Sequence, residues 1–122
     1  MSIQAKAHLT ADIRAACEAF FGNCREIEDT LAPEAADKLA ILLGHELPSE
    51  HLPPTYHWAY FNKGIPARDV GADMHERTGI FLPPAPFHRR MWAAGDVSIL
   101  QPLRIGVPAR RRSTVTAVDR TH

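Results

Sequence analysis

The sequence predicts an α+β domain, an antiparallel sheet packed on helices. Two stretches, residues 10–21 and 33–43, repeat apolar residues with helical period. A third, residues 109–119, alternates with period two and is rich in β-branched residues, which marks a strand. Gly106 and Pro108 signal the turn that joins it to a second strand-like stretch, DVSILQPLRI at 96–105. With 122 residues the chain makes one domain at most, large enough to bury a core without metal or disulfide help.

Charge and composition narrow the function classes. Lys plus Arg is 14 and Asp plus Glu is 14, a formal net charge of +0, which argues against a nucleic-acid partner. Arginine dominates the positive charge and gathers after residue 88. Its planar fork of donors suits carboxylates and phosphates better than lysine does. Cys17 and Cys24 read as two reduced thiols, because a zinc site needs more convergent ligands. No apolar run approaches the roughly 20 residues that cross a bilayer. The opening MSIQAKAHLTAD lacks an apolar signal region, so a cytoplasmic location with no membrane partner is the expectation.

The elements follow in order. In TADIRAACEAFF at 10–21, Thr10 can cap the first turn, and Ile13, Ala16, Cys17, Phe20 and Phe21 share a face before the stop at Gly22-Asn23. CREIEDTL at 24–31 fits an edge strand or a loop, since Ile27 stands alone among acids. PEAADKLAILL at 33–43 starts on Pro33, where a missing amide costs little, and stops at Gly44. Its Ala35, Ala36, Leu39, Ile41, Leu42 and Leu43 are expected to be mostly buried. Residues 45–55 form a proline-rich linker. His45 and His51 within it read as surface or locally bonded histidines, not a metal pair.

YHWAYF at 56–61 is the most aromatic run. Read as a strand, it places Tyr56, Trp58 and Tyr60 on one face. Rings with polar handles suit a subunit interface or the wall of a groove for an acyl or nucleotide group, with plain core as the remaining reading. Residues 62–78 form a loop carrying Asp73 and His75, which need not point together. In FLPPAPFHRRMWAAG the prolines make a rigid corner. Either a short helical turn from Phe87 to Trp92 or an extended run follows. Arg89 and Arg90 there can grip a carrier's phosphates, or equally satisfy loop carbonyls and acids. In the 96–105 strand Pro102 requires a bulge or an edge.

The block FLPPAPFHRRMWAAG followed by QPLRIGVPARRRSTVTAV resembles the N-terminal hotdog domain of the MaoC-like hydratase and dehydratase family. The closest branch is that of mesaconyl-CoA and 3-methylfumaryl-CoA hydratases. PEAADKLAILLG and LPPTYHWAYFN fit the same branch, and the resemblance runs over roughly residues 25 to 119. It implies a hotdog fold, an antiparallel sheet wrapped around a helix, from residue 25 to 122 after an N-terminal helical extension, 1–24. It also implies reversible addition of water to an enoyl thioester, with coenzyme A thioester as substrate and no other cofactor. Family members pair two hotdog units, either as a homodimer or with a separate catalytic hotdog subunit.

The family's catalytic unit carries an aspartate and a histidine in a motif close to Asp-x-Asn-Pro-x-His. This sequence lacks it: Phe61-Asn62-Lys63-Gly64 has neither the proline nor the histidine. The resemblance therefore implies the non-catalytic half, with no catalytic residue and no metal in this chain. Trp58, Tyr60, Arg89, Arg90 and Trp92 are then the residues expected to touch ligand or interface. The hotdog normally continues past the Arg111 to Val118 strand. The expectation is a sheet incomplete at its C-terminal side, in a fragment, a truncated product or a partner-completed subunit. Two alternatives stay open: a self-sufficient small hydro-lyase using His75 or His88, and a thioester-binding or dimerisation module without chemistry.

Overall fold

The computed structural model describes residues 3–84 and 90–118, with side chains of the first helix from residue 11 onward. The order is α1 (Ile3–Glu18), β1 (Cys24–Thr30), α2 (Pro33–Leu43), a 3-10 turn at Tyr56–Ala59, another at Ala67–Asp69, and β2 (Pro108–Thr114). The chain divides into two compact units. One is Glu26–Gly64 with Ala93–Arg111. The other consists of the described residues of Met1–Arg25, Ile65–Trp92 and Arg112–His122.

β1 and β2 pair antiparallel. At one end Leu31 N–H donates to Val107 O and Gly106 N–H to Leu31 O. At the other, Val115 N–H donates to Asn23 O and Gly22 N–H to Val115 O. The stretch that fitted strand or loop is thus a strand, with period-two burial at Arg25, Ile27 and Asp29. Only Ile27 of these is apolar. The outward Glu26 and Glu28 meet Arg110 on β2 at 3.6 and 3.2 Å. β2 stops at Thr114, short of the expected 119, because its partner strand begins only at Cys24.

α2 has the expected bounds but not the expected burial. Ala36 and Ala40, one helical turn apart, are fully buried, whereas Ile41, Leu42 and Leu43 are exposed, Leu42 at 81%. Two alanines let the helix axis approach the core closely, which turns the larger side chains outward. Gly44, at φ 69, ends the helix with the His45 N–H on Ala40 O, a Schellman closure that favours glycine. The core of this unit is Ile27, Leu31, Leu52, Tyr56, Tyr60 and Phe61 around the two alanines.

Three further expectations are corrected. The first helix begins at residue 3, so Thr10 lies inside it and does not cap it. Ile13, Cys17 and Phe20 are half-buried at helical spacing, but Ala16 and Phe21 are exposed. Residues 96–105 make no strand. A single antiparallel bridge joins Arg104 to His51, with Leu52 N–H on Leu103 O and Ile105 N–H on Glu50 O. Pro102, with no amide to donate, limits the pairing to the residues after it.

Candidate functional site

The aromatic run is a turn, not a strand. Pro53 and Pro54 deliver the chain into Thr55, whose φ of 72 is left-handed. For a β-branched residue that conformation is an outlier, costing about 1–3 kcal/mol and held only by its surroundings. The 3-10 turn follows, and Phe61 closes it, again left-handed at φ 62. Its amide donates to the Asp29 carboxylate at 2.7 Å. The turn's short period puts Tyr56, Tyr60 and Phe61 into the core and leaves Trp58 62% exposed. The single aromatic face expected of a strand is therefore split, two tyrosines inward and the tryptophan outward.

Both inward hydroxyls have partners. Tyr56 Oη lies 2.8 Å from His45 Nδ1. Tyr60 Oη donates to Ala32 O and accepts from Ala36 N–H at 3.2 Å. Ala32 precedes α2 and has no side chain that can cap it. The tyrosine hydroxyl stands in for the first intrahelical bond, bridging a carbonyl and the amide four residues on. Burial, the largest influence, raises the Tyr60 pKa, outweighing the opposing Ala36 amide bond.

Beside the turn lies a shallow groove of about 80 Å³. Leu52, Pro53 and Pro54 form one wall, and Ile99, Pro102 and Leu103 the other. Its polar lining comes from Thr55, His57 and Gln101. The His57 ring meets Trp58 edge-on, centroids 5.6 Å apart.

The other unit carries an ion-paired loop. Gly71 N–H donates to His75 O, Arg77 N–H to Asp69 O, and Val70 bridges Glu76, so residues 69–77 fold back on themselves. A Cβ on Gly71 would stand 3.0 Å from Asp73 Oδ1, so a side chain there would push the carboxylate aside by a few tenths of an ångström. Asp73 and His75 meet through the backbone: the His75 amide donates to Asp73 Oδ1 and the ring Nδ1 lies 2.9 Å from the Asp73 carbonyl, whereas the side chains stand 3.9 Å apart. Arg90 clamps the loop, with Nε 2.9 Å from Asp73 Oδ2 and Nη2 donating to Glu76 O at 2.6 Å. The His75 amide first, and then the Arg90 charge, hold the Asp73 carboxyl below its ordinary pKa. Arg25 grips Glu76 with both carboxylate oxygens, at 3.1 and 2.9 Å, and lies 4.5 Å over the Phe81 ring.

Of the five residues expected to touch ligand or interface, Trp58 is exposed beside the groove, and Tyr60 is buried under α2. Arg90 is committed to the loop, and Trp92 stands 82% exposed. Arg89 lies outside the described residues, as does His88. Between Arg90 and Trp92 the chain has no regular secondary structure, and Phe87 to Arg89 lie outside the described residues. Sequence reasoning missed Arg25, Asp29 and Glu76, the charged residues that pin the turn and the loop. The faint signal was the period-two placement of Arg25 and Asp29 about Ile27.

Comparison with known proteins locates this arrangement. Residues 55–122, more than half of the chain, match the model of the hydroxyacyl-thioester dehydratase type 2 family. The chain belongs to the hydroxyacyl-thioester dehydratase type 2 family. The match begins at Thr55, the residue that opens the aromatic turn. The two helices and the antiparallel strand pair are part of a hotdog fold, as the resemblance to the MaoC-like hydratases and dehydratases implied. Over 101 residues the chain is also 36% identical to the mesaconyl-C(4)-CoA hydratase of Chloroflexus aurantiacus. The alignment covers 80% of this chain and 36% of that protein, so the chain spans about a third of that relative's length. No helix among the described residues is long and apolar enough to cross a membrane.

Proposed function

We propose that the chain is the supporting, non-catalytic half of an enoyl-CoA hydratase or dehydratase. Its substrate is a short, dicarboxylic unsaturated acyl-CoA such as mesaconyl-CoA or 3-methylfumaryl-CoA. The observation that carries this reading is the pairing of a hydratase relative and a dehydratase family match with a sequence that has no Asp-x-Asn-Pro-x-His motif. The nearest asparagine, Asn62, spends its amide on the Ala59 carbonyl of its own turn at 3.1 Å. Scale supports the same reading. The groove of about 80 Å³ is well below the ~300 Å³ at which pockets begin to enclose whole drug-sized ligands.

In hydration, the hydroxyl of water adds to the β-carbon of the thioester and a proton to the α-carbon. A second hotdog unit supplies the aspartate and histidine that move these protons. This chain contributes surface: the exposed Trp58 and Trp92 face ligand or partner. Tyr60 and Arg90 act one step removed, through the first turn of α2 and through the 69–77 loop. The test is loss of enoyl-thioester absorbance with mesaconyl-CoA. The folded chain alone is expected to be inactive, and active once combined with a catalytic hotdog unit. Turnover by the chain alone, or failure to bind any such unit, overturns the reading.

One observation favours a second reading. His75 Nδ1 faces a carbonyl and must donate, which leaves Nε2 as the basic nitrogen in the neutral ring. If the isolated chain is active and His75→Ala abolishes that activity, the chain is a self-sufficient hydro-lyase.

A further inference from the structure

The unit that contains Trp92 is not organised around an apolar core. Among its described residues only Val115 is buried, whereas the other buried apolar residues all lie within Glu26–Gly64. Charge fastens its 69–77 loop instead. Arg25, at the start of β1, binds Glu76 through both carboxylate oxygens, at 3.1 and 2.9 Å. The same guanidinium stands 4.5 Å over the Phe81 ring, and Asn23 Nδ2 donates to Phe81 O at 3.0 Å. Arg90 then binds what Arg25 has fixed. Its Nε meets Asp73 Oδ2 at 2.9 Å, and its Nη2 donates to Glu76 O at 2.6 Å. An isolated exposed ion pair contributes little to stability, but a bidentate pair within a network is the exception. The four charged side chains are only 24% to 36% exposed, so solvent screens them less than a free surface pair. Directly after Arg90, Met91 and Trp92 are 89% and 82% exposed. Side chains so exposed gain little from their own packing, so the fastening at Arg90 sets where they stand.

We propose that Arg25 is a positioning residue: through Glu76 and Arg90 it holds Met91 and Trp92 in place as an anchor for a partner. This rests on the supporting-half reading, on which the partner is the catalytic hotdog unit. Tryptophan is enriched among the few residues that carry most of an interface's binding energy. An anchor already held in its bound place loses less freedom on binding. Arg25 acts only through these contacts.

The test reads the two tryptophans of the chain separately, in Trp58→Phe and Trp92→Phe backgrounds. Arg25→Met removes the hub. Glu76→Gln serves if that variant fails to fold, because it weakens the Arg25 contact and keeps the Glu76 carbonyl that Arg90 uses. Either variant is expected to lower the nanosecond fluorescence anisotropy of Trp92 and to leave that of Trp58 unchanged. Trp58 belongs to the other compact unit, so loosening of both is general destabilisation and overturns the proposal. An unchanged Trp92 overturns it too. With both tryptophans present, either variant is also expected to weaken binding to a catalytic hotdog unit about tenfold. A loosened Trp92 with unchanged affinity overturns the anchor and leaves the supporting-half reading standing. If the wild-type chain binds no catalytic unit, that reading fails, and the Trp92 anisotropy alone decides whether Arg25 positions the segment.

Discussion

Tyr60 does two jobs with one hydroxyl: it fills the core and closes the first turn of a helix whose own capping position holds an alanine. Tyr60→Phe keeps the ring and removes the bridge, stranding a buried carbonyl and amide. The expected loss is about 1–2 kcal/mol, read from chemical denaturation. The hydroxyl also gives a pH signature. Its folded pKa is raised, so its contribution is fully present below the ordinary tyrosine value and is lost as pH rises through the folded pKa. Wild-type melting temperature is therefore expected to fall more steeply than that of Tyr60→Phe on the alkaline side of pH 10. Parallel curves for the two proteins would refute that assignment. Asp73 runs the other way. Its lowered pKa means that its contribution is present above the ordinary carboxylate value and lost as pH falls through the folded pKa.

Among the elements, α2 shows how residue size sets the direction of a helix. Ala36 and Ala40 face the core with no exposed area, while Leu42 points to solvent. Ala36→Leu should then cost about 1–3 kcal/mol by overpacking, although leucine is a good helix former. Leu42→Glu should change stability by less than ~0.5 kcal/mol, as surface substitutions usually do. Denaturation midpoints of the two variants check both, and a reversed order would mean that the helix is rotated. β1 teaches a related lesson. Its alternation is hard to see in CREIEDTL because two of its three inward positions are charged. Arg25 is satisfied by Glu76, and Asp29 by the Phe61 amide. A hydrophobicity pattern reports burial only where burial is apolar, so a strand that turns ion pairs and backbone acceptors inward reads as a loop.

For the molecule as a whole, the described surface is unusually rich in large apolar side chains, among them Ile41, Leu42, Trp58, Met91, Trp92 and Leu100. A pair of strands is marginal as a free-standing sheet. On the supporting-half reading, part of this apolar surface is covered by a partner. The chain alone is expected to bind the dye ANS while its far-ultraviolet circular dichroism remains that of a folded protein, and a catalytic hotdog unit is expected to reduce the dye signal. Undiminished dye fluorescence in the mixture would count against the supporting-half reading.

The sequence by itself determined the bounds of α2, the strand at β2, the α+β class and the family. These rest on local physics: helical period, a proline at a helix start, a glycine at its end, β-branched alternation, and a run of uncommon residues in a fixed order. Only the tertiary structure decided the rest. Period two was the wrong template for YHWAYF, because two left-handed residues, Thr55 and Phe61, bracket the segment and wind it into a turn. Neither is a glycine, so nothing local announced them. The Phe61 conformation is held by a neighbour distant in sequence, Asp29, whose carboxylate accepts from its amide. The same holds for Arg90, whose partners Asp73 and Glu76 are set by how a loop folds back. Local preferences are written residue by residue, whereas a side chain's partner is fixed only when distant segments are brought into register.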